Sequence, residues 1–129
     1  MKRQTFLIIA ATVGTVFSLY MFLAPAKMME GMGIQSNDSI NAILQVMCVM
    51  LFSISVITFL ARKDEGSIAL RAIIIGSIFM HIASIPIDWI AFQRGVFTQI
   101  SGLIPGTIVH IILAIGFILC LKNLKQVAK

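Results

Sequence analysis

Four long apolar segments constrain the fold of this chain more than any other feature of its sequence. Each is about as long as the roughly 20 residues that a helix needs to cross the hydrocarbon core of a bilayer. The segments are Thr5–Ala24, Ile40–Ala61, Ser67–Phe92 and Leu103–Leu121. Because that core offers no water to backbone amides and carbonyls, the segments must be helical. The loops between them are short, which favours antiparallel neighbours. The sequence therefore predicts an all-α membrane protein, with residues 1–129 forming a single antiparallel bundle of four transmembrane helices.

The composition agrees with a lipid environment. Hydrophobic residues make up 59% of the chain and charged residues 12%, whereas soluble domains carry about a quarter charged residues. The net charge of +5 comes from basic residues at the ends of the apolar segments, where they suit a membrane surface. We therefore expect the lipid bilayer as a partner and no nucleic acid. Cys48 and Cys120 fall at different depths, which predicts free thiols.

The basic residues also predict an orientation, since cytoplasmic loops carry an excess of Lys and Arg. One side of the predicted bundle has only Lys27 and Arg94. The other side has Lys2, Arg3, Arg62, Lys63, Arg71, Lys122, Lys125 and Lys129. We therefore expect both termini in the cytoplasm, with the Lys27–Asp38 and Arg94–Ser101 loops outside.

Each predicted helix carries one polar or small face, and polar groups in hydrocarbon need protein partners. We expect these faces to point into the bundle. They consist of Ala11, Thr15 and Ser18; Asn41, Gln45, Cys48 and Ser55; Ser77, His81, Ser84 and Asp88; and Thr107, His110 and Ala114. Phe6, Ile57 and Ile112 lie roughly opposite these stripes, so we expect them to contact lipid.

Several of the polar side chains lie at similar depths. At 1.5 Å per residue, Asp88 lies about 6 Å from the outer end of its helix, Gln45 about 8 Å and His110 about 10 Å. His81, at about 16 Å, lies near the midplane. We therefore expect a polar cluster in the outer half of the bundle, formed by Gln45, His81, Ser84, Asp88 and His110. Pro86 lacks a backbone N–H and predicts a kink between His81 and Asp88.

The predicted cluster is compatible with several kinds of site. Intramembrane ionisable residues favour a functional hypothesis, although a neutral histidine bonded to a polar neighbour also simply joins helices. His81 and His110 could ligate one haem iron, and with Asp88 they could bind zinc or iron. The same groups could move protons for a quinone or hold a lipid headgroup. No catalytic residue can be proposed, because the chain has no nucleophile motif and no Gly-rich phosphate loop.

Two further classes rest on other residues. The thioethers of Met28, Met29, Met32, Met47 and Met50 are soft donors that could hold copper(I), but methionine is equally a filler of apolar cores. Small four-helix exporters rely on an acidic residue in the first helix, and small fluoride channels carry a Gly-rich motif with Arg in an early helix. Neither feature occurs here, which weakens the case for transport.

Several short stretches along the chain carry a family resemblance. They are Leu23-Ala24-Pro25, Gly31-Met32-Gly33, Ala61-Arg62-Lys63, Arg71-Ala72 and Ala114-Ile115-Gly116-Phe117. In these stretches and in layout, the chain resembles small bacterial four-helix membrane proteins related to the DoxX group. The resemblance implies a bundle in a bacterial inner membrane. Because the group includes a quinone-linked oxidoreductase subunit, it also favours quinone as a ligand.

Two functions remain as hypotheses. The first is a small non-catalytic inner-membrane subunit or interaction protein, which associates with other membrane subunits or with itself. It is favoured by the short loops and by the small-residue rows Ala10-Gly14-Ser18 and Ala72-Gly76, which permit close helix approach. The alternative is a redox or lipophilic-ligand protein that binds quinone or haem through His81, Asp88 and His110.

Overall fold

Four long helices and one short helix make up the fold. The structure, a computed structural model, describes residues 2–124, so that Lys125 and Lys129 of the basic count lie outside the described part. The helices are α1 (Arg3–Leu23), α2 (Pro25–Gly31), α3 (Asp38–Leu60), α4 (Ile68–Gln93) and α5 (Ile100–Lys122), with a 3₁₀ turn at Ala61–Lys63. All except α2 are long and apolar enough to span a membrane, and residues 2–124 contain no strand. The prediction of an all-α four-helix membrane bundle is confirmed.

The helix ends follow from local chemistry. Asn37 caps α3, its side chain accepting a hydrogen bond from the Ile40 amide at 3.0 Å. Ser67 caps α4 in the same way, accepting from the Leu70 amide at 3.1 Å. The Lys27–Asp38 stretch after α1 was predicted to be a loop. In the structure, α2 begins at Pro25 and extends into this stretch, because Pro25 stops α1 but is well suited to the first turn of a new helix.

The four long helices pair as two hairpins. Helix α1 packs along α3, and α4 packs along α5, while contacts between the hairpins are sparse. The main link inside the bilayer is a core formed by α1, α4 and α5 at the end where the chain termini lie, which we call the termini end. This core comprises Phe6, Leu7, Ala10, Leu70, Ile74, Leu113, Phe117, Cys120 and Leu124. Helix α3 therefore lies at the side of the bundle, with α1 as its principal neighbour.

Two glycines permit close contacts along α1. Gly14, in the predicted small-residue row, faces Ser55 and Leu51 of α3, and an added Cβ would overlap the Ser55 hydroxyl. On α5, a Cβ at Gly116 would overlap the ring of Phe6. Helix α1 thus has two close neighbours, on different faces.

Phe6 was predicted to contact lipid, and this prediction is wrong. Its side chain is buried and meets the Phe117 ring edge to face, with 4.9 Å between the ring centroids. The prediction assumed one buried face for each helix, whereas α1 buries a second face against α5. Ile57 and Ile112 are exposed on the apolar surface, as predicted.

At the opposite end of the bundle, which we call the α2 end, the two hairpins are joined through their loops. The Met32 carbonyl accepts hydrogen bonds from the amides of Thr98 at 3.0 Å and Gln99 at 3.2 Å. The Thr98 hydroxyl donates to the Gly33 carbonyl at 2.9 Å. Gly33 has φ of +75°, a conformation that favours glycine. We call these contacts the loop joint.

A compact turn precedes α4 at the termini end. The Asp64 carboxylate accepts hydrogen bonds from the Ser67 hydroxyl at 2.5 Å and from the Gly66 and Ser67 amides at 2.8 Å. These bonds, led by the Ser67 side chain and helped by the charge of Arg3, lower the pKa of Asp64 from 3.8 to about 2. The Arg3 guanidinium also donates to the Asp64 backbone carbonyl. The turn therefore fastens the start of α1 to the connection between α3 and α4.

Candidate functional site

The two histidines of the chain meet in the interior of the α4–α5 hairpin. Nδ1 of His81 lies 2.9 Å from Nδ1 of His110, and the ring centroids are 5.2 Å apart. At 1.5 Å per residue, His81 lies about 18 Å from the end of α4 at Gln93, and His110 about 15 Å from the start of α5 at Ile100. The difference in depth between His81 and His110 that the sequence predicts therefore does not keep the two side chains apart. The pair lies near the middle of both helices.

The contact between the two Nδ1 atoms determines which ring nitrogens carry protons. One ring must donate an N–H and the other must accept with a lone pair. When both imidazoles are neutral, the donor ring carries its proton on Nδ1 and the acceptor ring carries its proton on Nε2. The pair can thus hold helices together as a neutral hydrogen bond. Adding one proton to an Nε2 atom also leaves the bond intact, whereas protonating both rings removes the acceptor.

The surroundings of the two rings differ. His81 is buried and stacks against Phe117, with 5.8 Å between centroids and 20° between planes. His110 is only partly buried. Asp88 is also partly buried and lies near enough to His110 for an electrostatic interaction between the two side chains. The structure thus groups His81 with His110, and His110 with Asp88 on the side nearer the α2 end.

Two residues of the predicted cluster have partners elsewhere. The Ser84 hydroxyl donates to the Met80 carbonyl of its own helix at 2.8 Å. Gln45 is exposed, and its amide nitrogen contacts the Phe22 carbonyl at 3.4 Å. The prediction that Gln45 joins the cluster is wrong. The last carbonyls of α1 lack intrahelical donors, and α3 lies beside α1, away from the histidine pair.

The helix bearing His81 contains Pro86 in its interior. Helix α4 continues as one helix from Ile68 to Gln93, so the kink that the sequence predicts between His81 and Asp88 does not end the helix. A spanning helix tolerates proline when neighbouring groups and local adjustment satisfy the freed carbonyl. Asp88 therefore stays two helical turns from His81, on the same face.

The geometry limits which cofactors the pair can hold. Two imidazole nitrogens that bind one metal ion at about 2.0–2.1 Å each lie about 4 Å apart on opposite sides of it. The two Nδ1 atoms face each other at 2.9 Å, so this arrangement has no room for a haem iron between them. Across residues 2–124, no group of three or more His, Cys, Asp and Glu side chains is arranged to hold a metal ion. The histidine pair is therefore suited to hydrogen bonding and proton exchange.

Sequence reasoning missed Phe117 as the neighbour of His81. Phe117 lies seven residues after His110 on α5, hence two turns along the same face. This spacing could have identified it, since His110 was already placed on the inner face.

Comparisons of the chain with protein-family models, curated proteins and solved structures found no match.

Proposed function

We propose that the protein is a small non-catalytic subunit or interaction protein of a bacterial inner membrane. The observation that carries this proposal is the lateral position of α3, which packs along α1 and leaves most of its surface outside the bundle. The open face has a shallow apolar groove of about 290 Å³, lined by Ala42, Ile43, Val46, Met47 and Met50. Apolar surface of this kind can contact lipid or a helix of another subunit.

The membrane and its orientation form part of the proposal. The excess of Lys and Arg at the termini end supports a cytoplasmic location for both termini. The similarity in layout to DoxX-related proteins supports a bacterial inner membrane. A green fluorescent protein fused after Lys129 should therefore fluoresce. A phosphatase inserted between Gly33 and Asn37 should be active, since that enzyme works only outside the cytoplasm. The reverse pattern would invert the orientation.

Lateral association can be tested by photo-crosslinking in native membranes. A photoreactive amino acid that replaces Met47 would lie in the groove of α3. The same amino acid in place of Ile112, which is exposed on α5, provides a matched control. The proposal predicts a protein adduct of discrete mass from Met47 and only lipid adducts from Ile112. Val46→Trp, which fills the groove, should abolish the adduct. Lipid adducts alone at Met47 would refute association through α3.

In this role the histidine pair fastens α4 to α5. Interhelical hydrogen bonds in membranes contribute about 0.6 kcal/mol on average, and the stacking of His81 on Phe117 adds packing with the termini-end core. The pair would keep the second hairpin rigid while α3 of the first hairpin contacts the partner.

The proximity of Asp88 to His110 favours a second candidate function, the binding of a lipophilic ligand such as a quinone. A carboxyl group beside a half-buried imidazole could exchange protons with a quinone oxygen. Mass spectrometry of molecules that copurify with the protein tests this. His110→Ala and Asp88→Asn should both deplete the same ligand, and Thr107→Ala on α5 should not. An unchanged ligand profile in the first two variants would exclude the candidate.

A further inference from the structure

The sulfur atoms of this chain are concentrated in one region. Six of the eight methionines fall between residues 21 and 50. In the structure, four of these six belong, together with a cysteine, to one apolar cluster towards the α2 end of the bundle, which also contains Leu44, Ile34, Ile40 and Leu51. We call its sulfur-bearing residues the sulfur cluster; they are Met21, Met28, Met29, Met32 and Cys48.

The sulfur cluster is assembled from three helices. Met21 comes from α1, Cys48 from α3, and the others from α2 and the residue that caps it. Met21, Met29 and Cys48 are buried, and Met28 and Met32 pack against them with partial exposure. On α2 itself, Lys27 and Glu30 are exposed.

This arrangement corrects the expectation from sequence. Met47 and Met50 were grouped with Met28, Met29 and Met32, but both lie on the open face of α3. Their places in the cluster are taken by Met21 and Cys48. This difference between the predicted and the observed members changes the chemistry of the cluster. The observed cluster contains the Cys48 thiol, which is the one group in it that can become an anion.

The donor set of the cluster is soft throughout. Thioethers and thiolates favour copper(I) over hard cations, which prefer carboxylate, carbonyl and water oxygen. The charge balance favours the same ion, because one thiolate with one monovalent cation is neutral and the loaded site would bury no net charge in the bilayer.

We propose that the sulfur cluster binds one copper(I) ion, with the Cys48 thiolate as the anionic ligand and methionine thioethers from α1 and α2 as the neutral ligands. On binding, the Cys48 S–H bond breaks, a Cu–S bond forms and one proton is released to water, without any change of oxidation state. The thiol now donates to the Gln45 carbonyl at 2.9 Å, and this hydrogen bond is lost on loading.

Copper(I) binding can be measured on the full-length protein in detergent, under anaerobic conditions with a reductant. The protein competes for copper(I) with a chromophoric chelator, and the absorbance of the chelator complex reports transfer. We expect one ion per chain and an apparent affinity that rises about tenfold per pH unit while the thiol is protonated. Cys48→Ser should weaken binding at least about 100-fold, and Met29→Leu about tenfold.

Matched variants separate the site from general thiol binding. Cys120→Ser removes the other thiol and Met80→Leu removes a methionine of α4, and neither residue belongs to the cluster. Both variants should retain the wild-type affinity. Leucine for methionine conserves volume and usually keeps a core folded, which circular dichroism would verify.

Copper-edge X-ray absorption gives a second readout that needs no variant. The proposal predicts a first shell of sulfur atoms only. A shell of nitrogen or oxygen atoms would overturn it, as would binding that survives Cys48→Ser at full affinity or disappears in Cys120→Ser. Failure to compete for copper(I) in the wild-type protein would also overturn it, leaving the methionines as packing residues.

Discussion

Adding a single methyl group at Gly116 tests how the two hairpins are held together inside the bilayer. The Cβ of Gly116→Ala would overlap the Phe6 ring. This ring is buried and packs edge to face against Phe117. The methyl group can be accommodated only if Phe6 or the backbone of one helix moves, which would separate α1 from α5.

The expected loss of stability follows from three contributions. Overpacking a core of this kind costs about 1–3 kcal/mol. Moving the Phe6 ring away from Phe117 removes an aromatic pair worth about 0.5–1.5 kcal/mol. Alanine improves helix propensity over glycine by up to about 1 kcal/mol. The net destabilisation of Gly116→Ala should therefore be about 0.5–3.5 kcal/mol.

The matched control lies on the same helix. A Cβ at Gly106 meets no neighbouring atom, so Gly106→Ala should be neutral or slightly stabilising. Unfolding in mixed micelles with increasing dodecyl sulfate, followed by emission of the single tryptophan, Trp89, measures both variants. Phe6→Leu in the Gly116→Ala background should recover part of the loss. Equal stability of Gly116→Ala and Gly106→Ala would refute the close packing of α1 on α5.

Three further perturbations address other parts of the molecule. In a double-mutant cycle, His81→Ala and His110→Ala should be coupled by about 0.6 kcal/mol and at most about 1.7; strictly additive losses would contradict the hydrogen bond. The lowered pKa of Asp64 means that its stabilising contribution is present above about pH 4 and is lost as the pH falls towards 2. Ser67→Ala removes the side-chain hydrogen bond that lowers the Asp64 pKa the most. Carboxyl titration by NMR should therefore show the Asp64 pKa moving up towards 3.8. Gly102→Ala places a methyl group against the backbone of Gly31 and Met32 at the end of α2, so amide exchange in the loop joint should accelerate. Unchanged exchange would show that the loop joint accommodates the methyl group.

Helix number and type were predictable because they follow from the bilayer itself. A segment of about 20 apolar residues without water must satisfy its backbone internally, whatever its neighbours. The predicted segments and the observed helices consequently differ by at most three residues at either end. The short helix α2 was missed because its seven residues are too few to span a bilayer, and most of them fall in the predicted Lys27–Asp38 loop.

Which helix packs on which was harder to predict. Short loops predict antiparallel neighbours but not which pairs pack closely, and a polar stripe predicts only one buried face. Phe6 was misplaced because α1 has two close neighbours. Gln45 was misplaced because an amide near a helix end can use a free backbone carbonyl. His81 and His110 were placed correctly on inner faces, but helical pitch alone could not predict their direct contact, since it depends on how α4 and α5 are aligned.

The pairing of helices also has a consequence for how the protein is made. Each close pair, α1 with α3 and α4 with α5, is contained within one half of the chain. The first half can therefore adopt its main interface while the ribosome is still adding the second. Two fragments divided between Glu65 and Gly66 should each enter the bilayer as a complete hairpin. The contacts between the halves, which include the Phe6–Phe117 pair and the loop joint, form last, so that the order of synthesis and the order of assembly coincide.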